Sequence, residues 1–288
     1  MRRVERSPRH CGAALCFATC LFSANPSLAA DAPLHATHAL KNSSPKFLVL
    51  ETLGIGAVFA VYSLAAGPAP RECAWCAPTG FDVWVRDRLV VESSRPPATV
   101  SHVLSYGVIP LAAAMSLLLP ALNDGSGQHA LQDIWIAMDG LVLTLGVSQG
   151  TKRLTARRRP AFYYGREADT EYASNPSQAN LSFFSGDTAA AFSLAASATT
   201  LAYLRGYAVA PWLAVGGGML ATGIGVLRIA ADMHWATDVL AGAVVGSAVG
   251  TGLPLLLHQR EGADGSAGAF VVPLLGGGVR GVLVSRSW

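Results

Sequence analysis

The stretch Val100–Leu122, VSHVLSYGVIPLAAAMSLLLPAL, holds no Asp, Glu, Lys or Arg. A helix needs about 20 residues to cross the ~30 Å hydrocarbon core of a bilayer, and this run is long enough. Its apolar residues do not alternate with polar ones, so it reads as a helix and not as a barrel strand. Five further segments share its character: Phe47–Ala66, with Glu51 near its start; Leu131–Gly150, with Asp133 and Asp139; and the uncharged Thr188–Leu204, Gly206–Leu227 and Val239–Gln259. All are rich in Gly, Ala and Ser, which lets helix backbones approach closely in lipid. Trp135, Trp212 and Trp235 fall near span ends, where an indole suits the interface. The expected fold is all-α, a polytopic membrane protein with a six-helix transmembrane bundle.

Composition agrees with that expectation. Of the 288 residues 51% are apolar and 14% charged, about half the charged share of a soluble domain. This excludes a disordered chain and argues against a water-soluble α/β enzyme. The net charge of +3 offers no basic face for nucleic acid.

Outside the spans the chain divides by composition. Residues 1–30 read as a signal-like targeting segment: Arg2, Arg3, Arg6 and Arg9, then apolar Cys11 to Ala24, then small residues to Ala30. An uncleaved N-terminus is the alternative. Residues 31–46 are a linker, and 47–99 hold the first span and a polar loop with Cys73-Ala74-Trp75-Cys76. A lone CxxC lacks the second pair of a four-ligand zinc site, so a structural disulfide or two free thiols is preferred over catalysis. Phe81–Val91 reads as an interfacial amphipathic helix. The Gly-rich tail 260–288 reads as a hairpin around Gly276-Gly277-Gly278.

Three charged stretches lie at span ends: Lys152 to Pro160 (KRLTARRRP), Phe184 to Thr188 (FSGDT) and Arg228 to Asp238 (RIAADMHWATD). On a helix, His234 and Asp238 would share a face, so the carboxylate can orient the imidazole and leave its other nitrogen free as a nucleophile. Lys152 and Arg159 are two turns apart. In an alternating bundle two spans separate the first and third stretches, so both meet on one membrane side with Arg228. Three cations beside one His–Asp pair suit an anion with several oxygens. Ser185-Gly186 at a helix start adds a hydroxyl and backbone N–H groups. Arg153, Arg157 and Arg158 read instead as topology signals or snorkelling side chains. Asp139 and Glu51 inside spans fit a functional role or helix-to-helix hydrogen bonding equally.

The combined spacing resembles the three-part signature of the type 2 phosphatidic acid phosphatase and vanadium haloperoxidase superfamily: Lys, six residues, Arg-Pro; Pro-Ser-Gly-His; Ser-Arg, five residues, His, three residues, Asp. Lys152 to Arg159-Pro160 matches the first part in full, and Arg228, His234 and Asp238 keep the intervals of the third. The resemblance covers about Val100–Gln259 and makes 100–259 a phosphatase-like transmembrane core. It implies that Lys152, Arg159 and Arg228 bind phosphate with Ser185 and Gly186. It implies that His234 attacks phosphorus and that Asp238 orients His234. A lipid phosphate at a bacterial-type inner membrane, with a periplasmic site and no metal or cofactor, is what such a protein is expected to use.

The sequence departs from the signature at Phe184, Leu227 and Asp187. Asp187 stands where the family has the His that protonates the leaving oxygen. Neighbouring cations favour its ionised form, and losing a general acid costs about 10²–10⁴ in rate. Asp187 as the acid therefore competes with a second expectation, a weakened or inactive member that binds anionic lipid. Asp232, two residues before His234, is a substitute acid in principle. A transporter is disfavoured, since the chain shows no inverted repeat.

Overall fold

The computed structural model describes residues 45–65 and 67–257. The targeting segment, nearly all of the 31–46 linker and the Gly-rich tail lie outside the described residues. Seven helices carry the fold: α1 (Pro45–Ala65), α2 (Gly80–Leu89), α3 (Arg95–Asn123), α4 (Gly127–Thr155), α5 (Gly186–Arg205), α6 (Ala210–Ala230) and α7 (Ala236–Leu257). No strand forms among the described residues; Trp75 and Arg157 share one isolated bridge.

Four helices, α3, α4, α6 and α7, are long and apolar enough to cross a membrane. The other two expected spans form helices α1 and α5. Helix α5 is the hub of the bundle, packed against α3, α4, α6 and α7. Ala189, Ala190, Ser193, Leu194, Ser197 and Leu201 are buried along it. A helix enclosed by helices needs no lipid-facing Leu and Val, and it tolerates hydroxyls that find partners. Ser197 Oγ donates to the Gly250 carbonyl at 3.0 Å and Thr144 Oγ1 to Ser193 Oγ at 3.0 Å.

The α5–α7 contact rests on glycine. Gly242, Gly246 and Gly250 are four residues apart on α7, so they share a face. A Cβ at 246 or 250 would overlap the carbonyl oxygen of Ala189 or Ser193, and one at 242 would sit 2.7 Å from that of Ser185. This close approach fixes the start of α5 against the start of α7, where the charged residues lie.

Two features shape α3 and α1. Pro110 has no N–H to bond the carbonyl of Tyr106, and the helix widens into a π turn over Leu104–Val108. That turn directs Tyr106 toward α5. On α1, Thr52 Oγ1 donates to Asp139 Oδ2 at 2.8 Å and accepts from Trp135 Nε1 at 2.7 Å. Asp139 thus serves helix-to-helix bonding. At the end of α4 remote from the charged stretches, Asp133 is buried in a two-pronged pair with Arg205 of α5.

A helix, α2, forms where an interfacial amphipathic helix was expected at Phe81–Val91. Thr79 and Asp82 form a reciprocal N-terminal cap, and Asp82 and Arg86 turn inward and are buried. Phe81 and Trp84 stack on the exposed side. The helix is a brace against α6 and α7, because its two buried charged residues find partners there: Asp82 meets Thr237 and Arg86 meets Asp232.

Candidate active site

The α4–α5 connection and the α6–α7 connection meet at one end of the bundle. The α4 helix ends at Ala156, whose φ of 44° turns the chain in the left-handed region. Arg159 follows, its N–H bonded to the Ala179 carbonyl at 2.8 Å. Its side chain is buried and joins both connections: Nε donates to Gln178 O at 2.9 Å and Nη1 to Met233 O at 2.8 Å. The same Nη1 stands 3.2 Å from His234 Nε2. Residues 75 apart in sequence are thus in contact.

His234 precedes α7 and Asp238 lies in its first turn, so the pair is held by a loop-to-helix junction and not by one helix face. Their separation is 3.6 Å from His234 Nδ1 to Asp238 Oδ2. Asp238 is fully buried. Oδ2 accepts from Ser182 Oγ and from the Trp235 N–H at 2.9 Å, and Oδ1 accepts from Arg157 Nη1. Both carboxylate oxygens are thus anchored, Oδ2, which faces the imidazole, by two of the three bonds.

A cavity of about 140 Å³ opens beside His234, and Lys152, Arg159, Gly186, Asp187, Arg228 and His234 line it. Of the eight expected site residues two stand behind this wall. Asp238 backs His234. Ser185 is fully buried, its hydroxyl 2.9 Å from Thr188 Oγ1, so Gly186 and not Ser185 presents α5 to the cavity. The helix start supplies N–H groups there. Space there is tight: a Cβ at 186 would lie 3.2 Å from Ser148 Oγ and 3.3 Å from Lys152 Nζ, so those side chains would have to give by a few tenths of an ångström.

Asp187 faces two partners. Its Oδ2 is 3.0 Å from Arg228 Nε, and Oδ1 accepts from Tyr106 Oη at 2.5 Å. Burial works to raise its carboxyl, but Arg228, the Tyr106 hydroxyl, His102 and Lys152 outweigh burial and hold it below the usual carboxylate range. Asp187 is therefore an anion and not a proton reservoir near neutral pH. His234 moves the other way for an imidazole. Burial first, then Arg159, Arg228 and Lys152, push it well below 6.5. The neutral ring keeps a lone pair available for attack.

Several members of the cluster carry no local sequence signal. Arg157, expected to be a topology charge, is buried between Asp82 and Asp238. Its guanidinium lies 3.8 Å from the centre of the Trp75 ring. Trp75 belongs to a loop closed by a Cys73–Cys76 disulfide and tied by Ala74 N–H to Ala156 O and by Arg158 N–H to Trp75 O. The CxxC pair thus braces Arg157. Asp232 cannot be the substitute acid: it is fully buried, gripped by Arg86 Nε and Nη2 at 2.6 Å each and by Arg166 Nη1 at 3.3 Å. Two guanidiniums occupy its oxygens, and it does not line the cavity. His102, Tyr106 and Tyr172 complete the cavity wall. Among the described residues no group of three or more His, Cys, Asp or Glu is placed to hold a metal ion.

Residues 133–261 match the family described as the PAP2 superfamily. The chain is 45% identical over 69 residues to a protein named lipid A 1-phosphatase from Porphyromonas gingivalis. That similarity covers 24% of this chain and 15% of the relative. No solved structure matches. Lys152, Arg159, Arg228, His234 and Asp238 all fall inside the segment 133–261 that matches the PAP2 superfamily, a segment that makes up less than half of the chain.

Proposed function

We propose that this chain is a membrane phosphatase acting on a lipid phosphomonoester or pyrophosphate through a phosphohistidine at His234. The observation that carries the reading is the contact of His234 Nε2 with Arg159 Nη1 at 3.2 Å, at the wall of a cavity shared with Lys152, Arg228 and Gly186. A phosphate there meets two guanidiniums, an ammonium and the backbone N–H groups opening α5. Phosphoryl transfer depends mainly on such positioning and on stabilising charge on the equatorial oxygens. Neutral His234 attacks through Nε2, the Nε2–P bond forms as the ester P–O bond breaks, and Asp238 faces the positive charge that develops on the ring. Water then cleaves the P–N bond and releases phosphate. The apolar tail stays in the bilayer beside the four candidate spans. The relative's name supports a lipid A-type phosphate among the first substrates to test.

The test is phosphate release by the detergent-purified protein from a panel of phospholipid, isoprenyl and lipid A phosphates, repeated with His234→Ala. Release abolished in the variant supports the mechanism; equal release from both proteins removes it. The Asp187–Arg228 pair favours a second reading, in which the cradle binds anionic lipid with little turnover. Binding of a lipid phosphate with no release by the wild type, and release gained in Asp187→His, would select it.

A further inference from the structure

The phosphatase reading leaves one step without a group. When the ester bond breaks, the leaving oxygen needs a proton, and Asp187 is a paired anion with Arg228 and Tyr106. One imidazole besides His234 lines the cavity: His102, on α3 and outside the segment that matches the family. Its Nε2 is 2.8 Å from Glu171 Oε2 and 3.2 Å from Arg228 Nη1. Its ring stacks on Tyr106 with centroids 5.7 Å apart. Arg228 therefore touches Asp187 on one edge and His102 on another. An ester oxygen held by Arg228 lies within hydrogen-bond reach of the same imidazole nitrogen, directly or through one water.

We propose that His102 protonates the leaving oxygen in this site. Arg228 has only protons to give, and Glu171 as a carboxylate only accepts, so the two contacts at Nε2 compete. The shorter one requires a proton on Nε2 directed at Glu171. When phosphate draws Arg228 and the ester oxygen approaches, His102 as the imidazolium, with a proton on each ring nitrogen, passes the Nε2 proton to the oxygen and is left neutral. The P–O electron pair goes to the leaving alcohol, the Nε2–H bond breaks and an O–H bond forms. Neutral His102 then takes a proton from the water that attacks the phosphohistidine, which restores the starting state. The charged and titratable groups facing His102 are Glu171, Arg228, Asp187 and Tyr106. Glu171 is a positioning residue that holds the ring and its proton between turnovers.

The inference rests on the phosphatase reading, and the experiment separates the two. The purified protein is assayed on p-nitrophenyl phosphate, whose leaving group needs no proton, and on phosphatidic acid in detergent micelles, whose alkoxide does. Wild type, His102→Gln, Tyr106→Phe and His234→Ala are compared across pH. His102→Gln is expected to lose about 10²–10⁴-fold in kcat/KM, which reports the step that expels the leaving group, on phosphatidic acid, to stay within about tenfold of wild type in kcat/KM on the aryl ester, and to lose the basic limb of the alkyl-ester kcat/KM pH profile. An equal loss on both substrates, or none, overturns the proposal, as does a leaving-group-dependent loss confined to Tyr106→Phe. Inorganic phosphate inhibition of the aryl reaction checks that the variant keeps the cradle. No release by the wild type from either substrate, or full release by His234→Ala, overturns the phosphatase reading and this proposal with it.

Discussion

Arg157 Nη1 donates to Asp238 Oδ1, while Asp238 Oδ2 faces His234 Nδ1 at 3.6 Å. The side chain that fixes the orienting carboxylate is thus itself fixed from outside the bundle, by Asp82 of α2 at 2.6 Å and by the face of Trp75. Arg157 is 1% exposed. Truncating one member of such a buried network leaves carboxylates desolvated and unpaired, at a cost of about 3–5 kcal/mol. Arg157→Ala is therefore expected to lower the detergent-state Tm strongly and to remove phosphate release. Asp82→Asn, which keeps the volume and the Thr237 contacts, is expected to do less of both. Thermal unfolding followed by circular dichroism tests the order.

The His234 environment makes a second prediction, and its sign follows from linkage. The folded chain holds the imidazole neutral well below pH 6.5, whereas the unfolded chain takes up a proton near 6.5. The unfolded state therefore binds more protons in that window. Stability contributed by this group is present above about pH 6.5 and is lost as pH falls toward the folded value, by about 1.4 kcal/mol per pH unit. His234→Gln is expected to show a flatter dependence of Tm on pH between 7.5 and 5.5 than the wild type. In the wild type the acid limb of kcat/KM is expected below 6.5. Parallel Tm curves for the two proteins would contradict the assignment.

On the proposed reading, Asp187, paired with Arg228 at 3.0 Å, competes with phosphate for that guanidinium. Asp187→Asn keeps the shape and removes the charge, so inorganic phosphate should inhibit the variant at about tenfold lower concentration, the equivalent of ~1.4 kcal/mol. Competitive inhibition of p-nitrophenyl phosphate hydrolysis measures it. Unchanged inhibition would place the bound phosphate away from Arg228 Nε.

How much of this was legible in the residues follows from the range of each interaction. The apolar runs mark where α1 and α3 to α7 lie, because burial in lipid or among helices acts on every position of a segment. The Lys152–Arg159 and Arg228–His234–Asp238 spacings are short, and the alternation of helices brings them to one end. The bracing pairs have no such signature. Asp82 meets Thr237 across 155 residues and Arg86 meets Asp232 across 146, and nothing local to either partner reveals the other. Arg157, in a run of arginines, looked like a surface charge for this reason. Ser185 departs from its expected role by a finer effect: α5 does start there, but the hydroxyl turns to Thr188 one turn on. His102 lay in an otherwise apolar span and pointed to nothing until α3 was set beside α5 and α6.

The glycine face of α7 carries the last prediction. At Gly246 an added methyl would overlap the Ala189 carbonyl oxygen, which is backbone and cannot swing aside. The α5 and α7 helices would have to separate, and overpacking of this kind typically costs about 1–3 kcal/mol. Separation at 246 also shifts Ser185 and Gly186 against Asp238, since the Ser185 N–H bonds the Asp238 carbonyl at 3.1 Å. Gly246→Ala should therefore lower both Tm and phosphate release. Gly223 on α6 supplies the control: no atom lies within 4 Å of a Cβ there, and replacing a helical Gly by Ala gains up to about 1 kcal/mol in helix propensity. Gly223→Ala is expected to leave release unchanged and Tm equal or higher. If the two variants behave alike, the contact between α5 and α7 is not what holds Gly186 at the cavity.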